Sequence, residues 1–229
     1  YQAIDIASET EIVLNNNVKE KIPEYEDNDY TYMILLKERE YYNVDENEYG
    51  EIKEEQFISG GLDILETVKK LKENPFLLIN NESAVYIVTV SDLNNRKIKE
   101  MAYPIIGEME ELLSKHIKEL YTSEDLYEMG EISDDARQKW EEAKDRDVNL
   151  HLAEYLISYE MEKLVKNSQE LGEKTGLDKY NNPGDKINEA SQVRHKVAHG
   201  NRSLIYNKNR IEKVEKRLEH AQEINQTLR

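Results

Sequence analysis

Phe76-Leu77-Leu78-Ile79-Asn80-Asn81-Glu82-Ser83-Ala84-Val85-Tyr86-Ile87-Val88-Thr89 is the stretch on which the reading of the fold turns. Two runs of large apolar residues, the second rich in Val and Ile, flank a polar turn, which is the pattern of a β-hairpin. Just upstream, Leu62, Ile64, Leu65, Val68 and Leu71 recur at helical spacing, entered after Gly60-Gly61 and stopped by Asn74-Pro75. Just downstream, Thr89-Val90-Ser91-Asp92 ends the second strand and leads into a further helix beginning near Asp92. A fainter copy of the pattern lies 44 residues earlier: a strand over 32–36, a turn at Lys37-Glu38-Arg39 and a strand over 41–44. Residues 18–25 would be its helix, although Pro23 suits a helix interior poorly. The expectation is an internal duplication in residues 1–101, with copies at about 1–50 and 51–101, the first divergent.

Past this region the period changes. Ile105, Ile106, Met109, Leu112, Leu113, Ile117 and Leu120 follow helical intervals from Tyr103 onward. Ser133-Asp134-Asp135 caps a second helix containing Trp140, and a third is expected over about 150–165. Asn181-Asn182-Pro183-Gly184 breaks the chain before a fourth helix over 185–199, which ends at Gly200, and a fifth over 209–228. The predicted fold class is therefore α+β, an α/β region over 1–101 followed by an all-α bundle of four or five helices over 102–229.

Composition narrows the function classes. With 229 residues, 38% hydrophobic and 34% charged, the chain is too apolar for a disordered protein. It has no cysteine, which excludes disulfides, thiolate metal sites and Cys nucleophiles. No apolar run approaches the ~20 residues of a membrane helix, and the start is no signal peptide, so a cytoplasmic location and no membrane partner are expected. Tyr1 is not Met, so further residues are expected before it. The net charge of −17 repels polyanions on average. Residues 1–100 carry −11 and residues 101–184 carry −10, yet residues 185–217 carry +5. The one basic segment is where the chemistry lies.

Two constellations stand out. In the first, a hydroxyl at Thr89 and a carboxylate at Asp92, set between a strand and a helix, would suit a ribose and its phosphate. On spacing alone, a plain helix cap by Thr89 or Ser91 is the better explanation. The helix–strand–strand–Thr-x-x-Asp unit, introduced by Ile58-Ser59-Gly60-Gly61, resembles a CBS domain, most closely over 76–94. The resemblance implies a tandem pair that binds an adenine nucleotide as a regulatory ligand, with Thr89 and Asp92 as nucleotide-binding residues. The first copy departs from the pattern, putting Asp45 opposite Thr89 and Glu48 opposite Asp92. Many such pairs serve only as dimerisation modules.

The second constellation is Arg194-His195-Lys196-Val197-Ala198-His199-Gly200. His195 and His199 stand four apart on one helical face, but the flanking cations and the lack of a third ligand argue against a metal. Arginine and histidine together suit phosphodiester chemistry instead, the cation stabilising charge on phosphate and the imidazole moving a proton. RNA needs no metal for this, because its 2′-hydroxyl is the nucleophile. Residues five apart on a helix point about 140° apart, so Arg194 and His199 converge only if the helix ends between them or two subunits share a cleft. A surface cluster at a helix C-terminus is the plain alternative.

The segment resembles the HEPN family, whose mark is Arg-x4-6-His late in a helical bundle, and the likeness covers about 103–228. It implies a homodimer with metal-independent endoribonuclease activity and no required cofactor, in which Arg194 and His199 are catalytic and His195 assists. Lys196, Arg202 and Lys208 are candidate RNA-binding residues. Asn201 stands where some members carry a modifiable Tyr. Glu108 and Glu111, on the first bundle helix, are within possible reach of the motif, whereas His116, His151 and His220 read as structural or exposed. The whole suggests a ligand-controlled RNA-cleaving defence or stress effector; a non-catalytic nucleotide-sensing or dimerisation module is the alternative.

Overall fold

The computed structural model describes residues 2–81, 84–198, 203–205 and 210–229, with the His195 side chain left aside. The chain is α+β and falls into two compact units, residues 1–98 with 205–212, and residues 99–204 with 213–229. The expected boundary at 101/102 falls three residues from that division, within a continuous helix over 96–120 that carries Pro104.

In the first unit the hairpin forms as β5 (Phe76–Asn80) and β6 (Val85–Thr89), with Leu78 opposite Ile87. A polar strand at its edge, β1 (Ser8–Thr10), pairs antiparallel with β6. The preceding helix α2 (Ile64–Glu73) is capped by Asp63, whose carboxylate accepts from the Leu65 amide at 2.8 Å. It buries Ile64, Val68 and Leu71 and packs on β5.

The earlier repeat begins as expected, with α1 (Val18–Asp27), β2 (Tyr32–Leu35) and β3 (Glu40–Asn43). It then diverges. Residues 48–51 form a third antiparallel strand, β4 (Glu48–Glu51), instead of leading into a helix. Asn43 explains the turn: its side-chain oxygen accepts from the Asp45 and Glu46 amides, and Asn47 adopts a positive φ of 55°. Asp45 therefore sits in a hairpin turn and Glu48 on a strand, so neither occupies the setting of its expected counterpart.

Alternation along β2 sets the layers. Met33 and Leu35 join Val18 and Tyr25 of α1 in one cluster, while Ile34 faces the other way and packs with Phe76, Leu78 and Val85. The unit is thus two small sheets face to face, β2-β3-β4 and β1-β6-β5. Tyr32, Tyr41 and Phe76 interlock between them at centroid distances of 4.9–5.8 Å.

The second unit is built on α3 (Arg96–Leu120), which buries Ala102, Ile106, Met109, Leu113 and Ile117 at intervals of three and four. Around it come α4 (Ser123–Glu128), α5 (Asp134–Asp145), α6 (Ser158–Asn167), α7 (Gln169–Thr175), α8 (Pro183–Ala198) and α9 (Ile211–Leu228). The expected helix over 150–165 is broken at Ile157, which is extended and initiates α6. One side chain fixes that break. Glu160, 2% exposed, accepts from the Ile157 amide at 2.7 Å and from the Ser133 amide at 2.9 Å, capping α6 and steadying the entry to α5 together. The short α4 and α7 are additions to the expected set. Gly184 lets α8 approach α6: a Cβ there would lie 3.3 Å from the Glu162 side chain and backbone. No described helix is long and apolar enough to cross a membrane.

Candidate functional site

The basic motif is carried by α8. Ile187, Ala190, Val193 and Val197 are its buried stripe, so Arg194, next to Val193, is turned out of the core. It emerges on the wall of a cleft of about 480 Å³ within the helical unit. Arg194 Nε lies 3.2 Å from Glu110 Oε2, with the arginine side chain 44% exposed and the glutamate 18%. Ser158, first residue of α6, donates its hydroxyl to the other oxygen of the same carboxylate. Glu110 is therefore fixed by α6 and in turn fixes the guanidinium of α8. Neither Glu108 nor Glu111 does this. Glu108 accepts from Asn225 at 3.3 Å and from Arg229 Nε at 3.0 Å, while Glu111 is exposed.

The lining also draws on α3 and the start of α6. Tyr103, Ile157 and Tyr159 line the cleft and are 53%, 52% and 56% exposed. Lys163 Nζ sits 4.4 Å from the Tyr159 ring centroid. Polar side chains complete the lining. Gln192 donates to Asn188 at 3.3 Å and accepts from Arg217. Burial pushes the Glu162 carboxyl above the usual carboxylate range, against the hydrogen bond from Asn188 and the nearby Lys166, which pull it down. The cleft thus offers one held guanidinium, aromatic rings and amides.

Of the other motif residues, His199, Arg202 and Lys208 lie outside the described residues, as does the His195 side chain. Ala198, the last helical residue before His199, lines the cleft. Lys196 is engaged: its ammonium donates to the Leu204 carbonyl at 3.4 Å in a half-buried setting. Immediately after, Asn94 grips Ile205 at two points, accepting from its amide at 2.9 Å and donating to its carbonyl at 2.6 Å. The histidines outside the motif have local partners. His116 Nε2 lies 2.9 Å from the Leu228 carbonyl. His151 accepts from the Ala153 amide at 3.1 Å, and His220 Nδ1 is 3.2 Å from Glu189. Burial lowers the His220 pKa, helped by Lys186. Among the described residues no cluster of His, Asp and Glu is arranged to hold a metal ion.

In the first unit, Asp92 Oδ2 accepts from the Thr89 amide at 2.7 Å and from its hydroxyl at 2.8 Å, while Ser8 donates to Oδ1 at 3.3 Å. Thr89 and Asp92 are together, as their spacing suggested, but as partners of each other. The helix expected to start near Asp92 is instead a short 3₁₀ turn over 91–94 that Val90 leads, and α3 begins only at Arg96. A carboxylate has about four acceptor positions, so Asp92 keeps capacity for one further donor such as a hydroxyl.

No family model, curated protein or solved structure matches the chain.

Proposed function

We propose that the helical unit is a metal-independent endoribonuclease of the HEPN type, controlled by an adenine nucleotide held at Thr89 and Asp92. The observation that carries the reading is Arg194, a motif arginine turned out of the core onto a cleft and steadied by Glu110. In the proposed reaction the 2′-hydroxyl of RNA attacks the adjacent phosphorus while a motif imidazole takes its proton. The bond to the 5′-oxygen breaks, that oxygen receives a proton, and a 2′,3′-cyclic phosphate and a free 5′-hydroxyl result. Arg194 stabilises the charge gathering on the phosphoryl oxygens, His199 moves the proton, and His195 assists. Lys196, Arg202 and Lys208 would hold flanking phosphates, Lys196 after leaving the Leu204 carbonyl. The active form would be a homodimer acting in the cytoplasm as a defence or stress effector.

The test is cleavage of a mixed structured-RNA pool in EDTA by wild type and by His199→Ala. Loss of cleavage in the variant supports the reading, and intact RNA with wild type, with and without adenine nucleotides, overturns it. An unchanged rate across a nucleotide titration removes ligand control, which requires different affinity for two states.

A second reading, a non-catalytic nucleotide-sensing or dimerisation module, is favoured by one observation. The Arg194 guanidinium already has a carboxylate partner, which offsets the charge it would bring to a phosphate. Thermal stabilisation by nucleotide without RNA cleavage would select it.

A further inference from the structure

Resting on the ribonuclease reading, we propose that Tyr159 is a positioning residue for substrate, a stacking platform on which one unpaired base lies beside the phosphate at Arg194. Large aromatic side chains are normally withdrawn from water, yet Tyr159 is 56% exposed and Tyr103 is 53% exposed in the same cleft. Both rings share its lining with Arg194. The cleft volume of about 480 Å³ suits a nucleotide, whereas an A-form duplex keeps its bases stacked inside and offers no free ring face. Lys163 above the Tyr159 ring adds a cation next to the platform. Arg194, Glu162, Asn188 and Gln192 line the cleft together with the rings.

The electrostatics sharpen the inference. The chain carries −17, and the guanidinium in the cleft is already shared with Glu110. Base stacking therefore supplies a share of the affinity that the protein's charge does not. Stacking on an aromatic side chain is insensitive to salt, whereas each phosphate contact on a single strand adds about −0.7 to the slope of log affinity against log salt.

The experiment uses the full chain with His199→Ala, which leaves bound RNA uncut, and a labelled single-stranded RNA heptamer read by fluorescence anisotropy. Adding Tyr159→Ala should weaken binding by about 5- to 150-fold, the range for losing one stacked base. Tyr159→Phe, which keeps the ring, should stay within about twofold. The salt slope should be no steeper than about −2.8, the value for the four phosphates that Arg194, Lys196, Arg202 and Lys208 would hold. Circular dichroism checks that each variant is folded.

Unchanged affinity in Tyr159→Ala, or a slope steeper than about −3, overturns the platform. So does a halved mass in sedimentation with RNA binding intact, which would make this face a contact between copies. In those cases wild type still cuts RNA in EDTA and the ribonuclease reading stands. Wild type that neither binds nor cuts RNA defeats that reading and the platform with it.

Discussion

Replacing Arg194 by Ala separates a catalytic role from a structural one, because the two predict opposite magnitudes. The side chain is 44% exposed and its one described partner is Glu110, at 3.2 Å. A partly exposed ion pair of this kind contributes about 1 kcal/mol to stability. Its removal leaves Glu110, 18% exposed, with the Ser158 hydroxyl and partial access to water, so its charge is not fully buried. The expected loss of stability is therefore at most about 1 kcal/mol, or a fall in Tm of about 2–4 °C for a chain of this size. Removing a group that stabilises charge in a transition state costs about 10²–10³ in kcat, equivalent to about 2.7–4 kcal/mol. Urea unfolding followed by circular dichroism gives the first quantity, and initial rates of RNA cleavage in EDTA give the second. Glu110→Gln keeps an acceptor for Ser158 but gives up the charge that holds the guanidinium, so it should slow cleavage less than Arg194→Ala does. The double variant should be no slower than Arg194→Ala alone, because Glu110 acts through Arg194. Loss of 3 kcal/mol or more of stability, with the rate per folded molecule unchanged, would refute the assignment and make Arg194 a bundle residue.

Four further outcomes follow from packing and titration. Gly50→Ala should destabilise the first unit by about 1–3 kcal/mol in thermal unfolding, because its Cβ would collide with the Tyr41 ring and part it from Tyr32 and Phe76. Asn94→Ala should cost about 1–2 kcal/mol for the two bonds to Ile205, and faster hydrogen exchange at the Ile205 amide would report it. Burial pushes the Tyr25 phenol up to about 12 from 10.0, so its contribution is intact below pH 10 and disappears as the pH rises through 12. Tyr25→Phe should flatten that alkaline loss, with unfolding midpoints measured from pH 9 to 12. The raised Glu162 carboxyl acts the same way around a lower pH. Its ionisation is resisted by burial, so stability falls as the pH climbs past the carboxylate range, and Glu162→Gln should raise Tm at pH 7 but not below pH 4.

The hairpin 76–80/85–89 and the helix before it were legible because each element carries its own periodicity. Strand β4 was not. Glu48-Tyr49-Gly50-Glu51 has one aromatic residue, a glycine and two charges, and nothing local marks it as extended. It becomes a strand through Tyr41, which lies directly opposite Gly50 and lays its ring over the space where a side chain would stand. Strand β1 is similar, three polar residues whose extended form is set by pairing with β6. In the bundle the local pattern points the other way. Leu152, Leu156, Met161 and Leu164 sustain an apolar pattern that reads as one helix, but Glu160 reaches back to the Ile157 amide and starts a new one. A cap formed by a buried carboxylate serving two helix entries depends on contacts 27 residues apart, which no window of local pattern contains.

The candidate site divides along the same line. Arg194 could be chosen from sequence because its spacing to His199 is chemical information, independent of what packs around it. Its partner could not. Glu108, Glu110 and Glu111 are equivalent in composition, and the choice among them is purely angular. On a helix of 3.6 residues per turn Glu108 and Glu111 share a face, while Glu110 is rotated about 160° from Glu108. Met109 and Leu113 fix the buried side of α3, Asn225 and Arg229 of α9 take Glu108, and α6 presents Ser158 to Glu110. The pair Glu110–Arg194 is thus a product of three helices meeting, and so is the exposure of Tyr103 and Tyr159 beside it. Periodicity would have assigned both rings to a core. What leaves them in the cleft is that the buried stripes of α3 and α6 are completed by Ala102, Ile106, Met161 and Leu164. The aromatic rings are surplus to packing, and their cost in exposed apolar surface is accounted for if a ligand covers them.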